Sequence, residues 1–402
     1  MAKAKASEVT AQRECPAGCG RQVTVVAELE FGAFDGLPLD ASAPLVVCAT
    51  CGQAYRDGNF GQAALDEFYR DHGFYAAAPA GAGGMNPWDL ERYSLSLTVI
   101  ERHLQDDHPT IIDVGCGNGG FISQLTRYGY DNLFGVDLTL SRVEHVRHIC
   151  SLPAALGSAA KLPYPDLTPD LLVYSHVLDH VFEPQQALEH AATRLAAGGL
   201  VYLEVADASR YAELPVGPFH WLAASERVNH FDAPHLANLG RRSGFEPLET
   251  GQLTVQIAAE IEIPVAYAVL GKAAPQSAVP DFALQDALVA HVASQQEAIA
   301  EQRATFDKLA AAGSPVIVWG VGHELFSLIH LTGLSRCRLV GLVDDQPTKQ
   351  ERTVAGHVVT SPERLAEATA DHTVVITSPG QRAAREAQLK DIGFPGQIVA
   401  LG

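Results

Sequence analysis

The stretch from Ile111 to Thr139 constrains the fold of this chain more than any other part of it. It reads IIDVGCGNGGFISQLTRYGYDNLFGVDLT: an apolar run, a glycine-rich turn, a helical segment and a second apolar run that ends in Asp137. A strand, a glycine loop, a helix and a strand ending in an acid form the unit that binds adenosine-bearing cofactors in doubly wound α/β sheets. Gly115, Gly117 and Gly119 let the backbone approach a ligand, because a Cβ there would clash. Asp137 is then predicted to accept hydrogen bonds from both ribose hydroxyls.

An acid near the start of the turn decides between cofactors. A dinucleotide site uses G-x-G-x-x-G to seat a pyrophosphate on a helix N-terminus. Here the pattern is D-x-G-x-G-x-G-G, with Asp113 two residues before the first glycine. A carboxylate at this place repels phosphate and suits a cation, and S-adenosylmethionine (SAM) carries an ammonium, a sulfonium and no phosphate. The motif therefore favours SAM over a dinucleotide, and over a turn that merely joins a strand to a helix.

With this motif the chain resembles the class I SAM-dependent methyltransferases. The resemblance implies an adenine contact near Ser158, where the family often has an acid, and a contact with the donor sulfur near Ser175. The stretch S-H-V-L-D-H-V that begins there is similar to the family's H-V-L-E-H-V, and its two histidines, His176 and His180, either act on a proton or shape the loop. The cofactor-binding residues predicted in this way are Asp113, Gly115, Gly117, Gly119, Asp137, Leu138, Ser158, Ala159, Ser175 and His176.

Composition excludes several classes of partner. The 402 residues carry a formal net charge of −19 and no basic block, which argues against nucleic-acid backbones and anionic membranes as partners. The length suggests two or three domains. Apolar runs stay well short of the ~20 residues that a membrane span needs, and the first residues have no apolar secretion-signal core. We therefore expect a cytoplasmic protein that acts on a small molecule; its oligomeric state stays open.

Four cysteines form two close pairs near the N-terminus. Cys15 and Cys19 lie in C-P-A-G-C-G, and Cys48 and Cys51 lie in C-A-T-C-G. Such pairs, each followed by glycine, are the pattern of a zinc site with four thiolate ligands. Four protein ligands leave no position for water, so the predicted role of the zinc ion is structural. Unligated core thiols and a redox pair are the alternatives.

Polar side chains gather between residues 206 and 236, which we expect to form a substrate-facing loop before a helix. Sugar-modifying methyltransferases with an N-terminal zinc lobe resemble the chain here, since they often carry E-H-x-x-x-F where this chain has E-R-V-N-H-F, residues 226–231. Arg227 replaces the histidine, so another base is needed if that histidine is the family's base. The predicted catalytic residues are His180, His220, Glu226 and His230. The predicted substrate-binding residues are Tyr211, Trp221, Arg227 and Asn229. A role in loop structure is the alternative for these groups.

The last part of the chain predicts a second α/β lobe. A long helix from Leu284 to Ala312 precedes a strand, a glycine turn and a helix, and three further strands follow. The turn at 320–322 lacks the third glycine of a dinucleotide site, so a structural or substrate-holding lobe is favoured over NAD binding. The segment V-D-D-Q-P-T-K-Q, residues 343–350, resembles part of the C-terminal domain of nucleotide-sugar C-methyltransferases.

That family has a zinc lobe, a SAM domain and a C-terminal α/β lobe in this order. The resemblance implies an α/β protein with a Rossmann-like class I methyltransferase domain at 61–273, an N-terminal zinc-binding lobe at 1–60 and a second Rossmann-like, substrate-binding lobe at 274–402. It also implies SAM-dependent C-methylation of a nucleotide-linked keto sugar, in the biosynthesis of secondary metabolites or cell-surface sugars. The alternatives are O- or N-methylation of another small molecule and a binding protein that has lost catalysis. The small-residue segment Ala76–Gly84 is expected to be a linker or a flap.

Overall fold

The chain divides into two compact units that draw on separate stretches of sequence. The computed structural model describes residues 8–72, 84, 86–106, 108–213, 219–258, 261–378 and 381–401. The predicted flexible segment Ala76–Gly84 lies outside these residues except for Gly84. Unit 1 comprises Met1–Val26, Leu45–Leu214 and Glu226–Leu288, and unit 2 comprises Ala27–Pro44, Pro215–Ser225 and Val289–Gly402. The cysteine lobe and the glycine-turn domain thus share unit 1, while the three-domain division stays a prediction.

Helices account for most connections between strands. The α-helices are α1 (Gln62–Glu67), α2 (Pro87–Ile100), α3 (Gly120–Arg127), α4 (Leu140–His148), α5 (Pro184–Arg194), α6 (His220–Ala223), α7 (Ala233–Arg242), α8 (Ala283–Ala312), α9 (His323–Leu331) and α10 (Arg382–Asp391). Several begin at the positions that capping rules select. For example, the Asn86 side chain accepts a hydrogen bond from the Asp89 backbone N–H at the start of α2, and Pro87 is its first residue.

The strands fall into three sheets. They are β1 (Glu8–Thr10), β2 (Gln22–Ala27), β3 (Leu45–Cys48), β4 (Ala54–Arg56), β5 (Ile111–Val114), β6 (Leu133–Asp137), β7 (Ala154–Leu156), β8 (Leu171–Ser175), β9 (Leu200–Ala206), β10 (Asn229–His230), β11 (Phe245–Ala258), β12 (Ile261–Lys272), β13 (Pro315–Trp319), β14 (Arg338–Val343), β15 (Thr353–Val354), β16 (His357–Thr360), β17 (Thr373–Ile376) and β18 (Gln397–Ala400).

The seven-stranded sheet of unit 1 has the order β11-β12-β9-β8-β5-β6-β7. Strands β5 to β9 pair in parallel, and β12 and β11 close the sheet as its antiparallel edge. Successive residues of β8 point to opposite faces of the sheet, and Leu172 and Val173 belong to two different core clusters. Both faces of the sheet are therefore covered. Strand β5 has β6 on one side and β8 on the other, and ligands bind α/β sheets at such a reversal of strand order, outside the carboxyl ends.

A second sheet in unit 1 joins the cysteine lobe to the substrate-facing segment. Its order is β1-β2-β3-β4-β10, and the short strand β10 pairs antiparallel with β4 through Asn229 opposite Tyr55 and His230 opposite Ala54. The prediction of a continuous loop between 206 and 236 was wrong in this part, because residues 229 and 230 form a strand and α6 begins at His220. A two-residue strand has no periodicity of its own, and only its distant partner β4 defines it.

Unit 2 contains a six-stranded sheet of order β15-β16-β14-β13-β17-β18. The four strands predicted here are β13, β14, β17 and β18, which pair in parallel, and the sequence did not indicate the short β15 and β16. The turn after β13 is held by the acid after β14, because Val321 N–H donates to Asp344 Oδ2 at 2.7 Å. In the part of the chain that the structure describes, no helix combines the length and apolar character needed to cross a membrane.

Candidate functional site

The glycine turn after β5 has backbone angles that only glycine adopts readily. Gly115, Gly117 and Gly119 have φ values of 77°, 53° and 76°. A Cβ at Gly115 would lie 2.5 Å from Val177 Cγ2, and one at Gly119 would lie 2.9 Å from Val146 Cγ2. The two positions therefore exclude side chains for reasons of conformation and of space. The turn leaves its backbone accessible to a ligand at the carboxyl end of β5.

Asp137, the last residue of β6, holds this turn in place. Its Oδ2 accepts a hydrogen bond from Gly117 N–H at 3.0 Å, and its Oδ1 accepts one from Thr139 N–H at 2.9 Å. Burial raises the pKa of the carboxyl group, and the two backbone donors oppose that rise. Asp137 was predicted as a ribose acceptor; the structure adds a role in shaping the turn. Each carboxylate oxygen retains a further lone pair for a ligand hydroxyl.

Asp113 lies on β5 beside Asp137 and is 3% exposed. Burial is the main cause that raises its pKa to about 7, and the charges of Asp137 and Glu204 add to the rise while Arg92 opposes it. The site thus carries a buried acid, and the nearby cation Arg92 already pairs with Glu204. A ligand with a positive charge would stabilise the ionised form of Asp113.

A buried ion pair supports this edge of the sheet, and sequence reasoning missed it. Arg92 Nη1 of α2 donates to Glu204 Oε1 of β9 at 2.6 Å and to Ser175 Oγ at 2.9 Å. Arg92 is the largest of the causes that outweigh burial and lower the pKa of Glu204 to about 2. An acid inside the otherwise apolar strand L-V-Y-L-E-V-A was the signal available in the sequence, since a buried charge needs a partner.

His176 follows β8 in a left-handed conformation, with φ 54°. Its backbone N–H donates to Glu204 O at 2.7 Å, and its Nε2 lies 3.5 Å from Glu204 Oε1. Burial and the charge of Arg92 lower the pKa of His176 to about 4, so the imidazole is neutral at physiological pH. Ser175 and His176 therefore lie together at the carboxyl end of β8, next to the carboxyl end of β5.

The predicted adenine-contacting residues follow β7. Gly157 N–H donates to Asp137 O at 3.1 Å, which holds the start of this loop beside the acid. Ser158 and Lys161 exchange backbone hydrogen bonds of 3.2 and 3.1 Å, and Ala159 is buried. The loop after β7 and the turn after β5 are thus connected through Asp137.

Three of the predicted catalytic residues lie in unit 1, on two segments that touch. His180 Nδ1 is 3.0 Å from Glu226 O, and His180 Nε2 is 3.3 Å from Asp179 Oδ2. Asp179 also forms an ion pair with Arg227. Burial raises the pKa of the Asp179 carboxyl group, and the electrostatic interactions with His180 and Arg227 outweigh burial and lower it. The turn at 178–180 and the stretch at 226–230 therefore form one charged cluster. Glu226 itself is 2% exposed.

The other members of this cluster are buried and bonded within the protein. His230 Nδ1 lies 3.1 Å from the Tyr211 hydroxyl oxygen. Asn229 Nδ2 donates to the backbone oxygens of Leu178 and Val181, each at 2.7 Å. Tyr211 and Asn229, which were predicted to bind substrate, are 2% and 0% exposed. Asn229 therefore connects the two segments of the cluster.

His220 and Trp221 belong to unit 2. His220 Nδ1 is 3.5 Å from Glu324 Oε1, and the His220 ring lies 5.2 Å from each of the rings of Trp221 and His323. The interaction with His220 outweighs burial and lowers the pKa of Glu324 to about 2. The sequence grouped His220 and Trp221 with Glu226 because they are neighbours along the chain.

The four cysteine positions converge. The thiols of Cys15, Cys48 and Cys51 lie within 4.8 Å of one another, and the Sγ atoms of Cys15 and Cys51 are 3.6 Å apart. Cys19 interacts with the other three thiols and is less buried. Gly52 follows the second pair with φ 89°, and a Cβ there would lie 1.6 Å from Asp281 O. The tight turn that brings Cys48 and Cys51 together therefore requires glycine.

Comparison with known proteins identifies the domain that carries the glycine turn. A family model described as "Methyltransferase domain" matches residues 90–250. The chain is 26% identical over 192 residues to a protein of Mycolicibacterium smegmatis named "Probable S-adenosylmethionine-dependent methyltransferase", over 46% of this chain and 70% of that one. It is 25% identical over 181 residues to a ubiquinone biosynthesis O-methyltransferase of Neisseria meningitidis serogroup C, over 40% of this chain and 74% of that one.

Among solved structures, a SAM-dependent methyltransferase of Methanosarcina mazei aligns with a TM-score of 0.37 and 18% identity, over 44% of this chain and 97% of that one.

The residues that the methyltransferase family model matches, 90–250, include β5 to β9, the glycine turn and all predicted cofactor-binding positions. The chain therefore carries a class I SAM-dependent methyltransferase domain and is an enzyme of the methyltransferase class.

Proposed function

We propose that this methyltransferase binds SAM over the glycine turn and transfers its methyl group to a small polar metabolite, with a nucleotide-linked keto sugar, methylated at carbon, as the leading acceptor. The observation that carries the donor site is a pair of acids near the carboxyl ends of adjacent parallel strands, with Asp113 buried and Asp137 half-buried. The raised pKa of Asp113 favours a ligand that brings a positive charge, and Asp137 holds the glycine turn through Gly117 N–H. SAM offers that cation in its ammonium group, whereas a dinucleotide would bring phosphates.

The other donor contacts follow from the placement of each residue. Gly115, Gly117 and Gly119 would leave room for the methionine part of SAM, and Asp137 would accept from the ribose. Leu138, Ser158 and Ala159 would line the adenine, while Ser175 and His176 would lie beside the sulfonium. Bound SAM supplies an electrophilic methyl group. The chain contributes alignment of donor and acceptor, and such alignment accounts for a large part of catalysis in many enzymes.

Carbon methylation of a keto sugar needs a base that removes the proton α to the ketone, and such a base accelerates a reaction by ~10²–10⁴-fold. We propose that the base is among His180, Glu226 and His230, with His220 of unit 2 as a further candidate. His180 is favoured by its position, because Asp179 and Glu226 O fix the direction of its ring. The proposed acceptor contacts are Tyr211, Trp221, Arg227 and Asn229.

Oxygen methylation of another small molecule is the second candidate. It is favoured by the named activity of the Neisseria relative and by the ion pair of Arg227 with Asp179. Arg227 occupies the place where the resembled sugar methyltransferases have a histidine, and an arginine does not act as a base at neutral pH. A hydroxyl acceptor would need only one base and close approach to the donor. Nitrogen methylation would need even less.

We also propose that Cys15, Cys19, Cys48 and Cys51 bind a structural zinc ion. Thiolates are preferred zinc ligands, and four of them close the coordination shell against water. Binding would contribute on the order of 10–16 kcal/mol to the folding of the surrounding lobe.

Product analysis by mass spectrometry tests the proposed function. The purified full-length chain is incubated with methyl-deuterated SAM and with keto nucleotide sugars, their non-keto counterparts and catechol-type phenols. We expect a labelled methyl group on keto sugars, and NMR then distinguishes a carbon-bound from an oxygen-bound methyl. Transfer to phenols alone would favour the second candidate, and transfer to none of these acceptors would exclude both acceptor classes.

Calorimetry tests the donor site separately. Asp137→Ala should abolish measurable SAM binding, because it removes the ribose acceptor and releases the turn. Asp344→Ala is the matched control: Asp344 makes the same pair of backbone contacts in unit 2, with Val321 N–H at 2.7 Å and Gln346 N–H at 2.9 Å. Equal loss of SAM binding in both variants would contradict the assigned donor site.

A further inference from the structure

We propose that Arg13 is a positioning residue that ties the cysteine lobe to both segments of the candidate catalytic cluster, the turn Leu178–Phe182 and the stretch Glu226–His230. The inference rests on the proposed function only in assigning these two segments to catalysis. Whether Arg13 holds them is a separate question with its own test.

The guanidinium group of Arg13 reaches both segments at once. Nη1 donates to Val228 O at 3.0 Å, and Nη2 donates to Asn229 Oδ1 at 2.7 Å and also to Phe182 O. The group lies 4.2 Å from the ring centroid of Phe182 and 5.3 Å from that of Tyr55. Arg13 is 4% exposed. A planar fork with five N–H donors can make all these contacts together, which a lysine cannot.

The lobe fixes the position of Arg13 itself. The backbone N–H groups of Gln12 and Arg13 donate to the two carboxylate oxygens of Asp57 at 3.1 and 2.9 Å. Arg13 lies two residues before Cys15, the first thiol of the cluster. The first thiol of the cluster and the guanidinium group are therefore carried by one short piece of backbone.

Asn229 connects the Arg13 guanidinium group to both segments. Its Oδ1 accepts from Arg13, while its Nδ2 donates to backbone oxygens of the 178–182 turn. The amide is thus oriented by Arg13 and orients the turn that carries His180. Without the guanidinium group, Phe182 O and Asn229 Oδ1 would lose a donor, whereas Val228 O would still accept from Arg56 N–H at 2.9 Å. Each buried oxygen left without a partner costs about 1–3 kcal/mol, so the segments would open locally.

The test is hydrogen exchange with mass spectrometry on the full-length, zinc-loaded chain carrying Arg13→Lys. We expect exchange to accelerate at least about tenfold in peptides that cover 178–182 and 226–230, since a loss of 1.4 kcal/mol in local opening free energy gives that factor. Zinc content should match the wild type, and the dissociation constant for SAM should stay within about twofold. Arg21→Lys, at an exposed position of the same lobe, is the control and should leave exchange unchanged.

Turnover gives a second readout once an acceptor is known: kcat should fall about 10- to 100-fold, while KM for SAM stays within about twofold. Unchanged exchange in both segments of Arg13→Lys would overturn the proposal. So would a uniform acceleration across unit 1, which would mean that Arg13 acts on global stability alone. If Arg13→Lys does not fold, Asp57→Asn replaces it, because it loosens the backbone anchor and keeps the guanidinium group. Faster exchange confined to the same two peptides would support the proposal, and faster exchange elsewhere without them would refute it.

Discussion

Replacing Asp113 with asparagine is expected to separate the stability of the ligand-free protein from its affinity for SAM. The substitution keeps the size of the side chain and removes its charge. Asp113 is 3% exposed, and burial raises the pKa of its carboxyl group to about 7, with Asp137 and Glu204 adding to the rise and Arg92 opposing it. The charged form is therefore disfavoured in the folded, ligand-free chain.

The size of this effect follows from the shift. The pKa rises from 3.8 to about 7, roughly three units, and each unit corresponds to 1.36 kcal/mol, so ionised Asp113 costs on the order of 4 kcal/mol. Because the folded pKa is the higher one, the stabilising contribution is complete below pH 3.8 and is lost as the pH rises through about 7. The free energy of unfolding of the wild type should therefore fall, relative to Asp113→Asn, as the pH increases from 4 to 8. Urea unfolding at each pH measures the difference.

Calorimetry measures how the affinity for SAM depends on the ionisation of Asp113. If the ammonium group of SAM binds the carboxylate, the wild-type dissociation constant weakens by up to about tenfold per pH unit below pH 7 and levels off above it. About half a proton should be released per SAM at pH 7, seen as a dependence of the binding enthalpy on the buffer. Asp113→Asn should bind SAM about 10- to 100-fold more weakly, since a hydrogen bond to a charged group is worth about 1.5–3 kcal/mol, and should release no proton. A dissociation constant that does not change between pH 5.5 and 8.5, or undiminished affinity of Asp113→Asn, would refute the reasoning.

Three further predictions concern the framework of unit 1. Glu204→Gln should lower the free energy of unfolding by about 3–5 kcal/mol in urea titrations, because Arg92 is left buried without its counterion. Since the pKa of Glu204 is lowered to about 2, this stabilisation is present above pH 4.5 and is lost as the pH falls towards 2. Gly52→Ala should destabilise the lobe by at least several kcal/mol more than Gly20→Ala, since both glycines have positive φ but a Cβ at Gly52 would lie 1.6 Å from a backbone oxygen and one at Gly20 meets nothing within 4 Å. Equal effects in thermal unfolding would argue against the clash. Cys48→Ser should reduce bound zinc, measured by elemental mass spectrometry, and expose the lobe to limited proteolysis, whereas zinc-free wild type with full stability would contradict a structural ion.

The sequence predicts those elements whose spacing of apolar residues and whose place in the order of strands and helices indicate the same structure. The apolar runs around the glycine turn became β5 and β6, and the run of helical spacing after residue 283 became α8 (Ala283–Ala312). Helix α2 ends at Ile100, although the sequence keeps a helical spacing of apolar residues as far as Leu104, because helix ends depend on capping and tertiary contacts.

The parts that could not be predicted depend on partners far apart in sequence. Arg92 and Glu204 are separated by 112 positions, so the acid inside the apolar run of β9 indicates that a partner exists but not which residue it is. Strand β10 exists because β4 pairs with it, and no property of Asn229 and His230 indicates a strand. The division of the 206–236 segment between the two units likewise reflects long-range packing, since His220 and Glu226 are separated by only five residues.

The division of the chain has a consequence for evolution and for engineering. The backbone passes from one unit to the other at residues 26/27, 44/45, 214/215, 225/226 and 288/289, which makes five crossings. A module acquired by simple fusion at a terminus would need only one crossing and could be exchanged at a single junction. Here a truncation at residue 288 would leave the stretches 27–44 and 215–225 attached to unit 1 without the remainder of their own unit. Exchange of unit 2 between relatives would therefore require three coordinated replacements, so the two units are expected to have changed together.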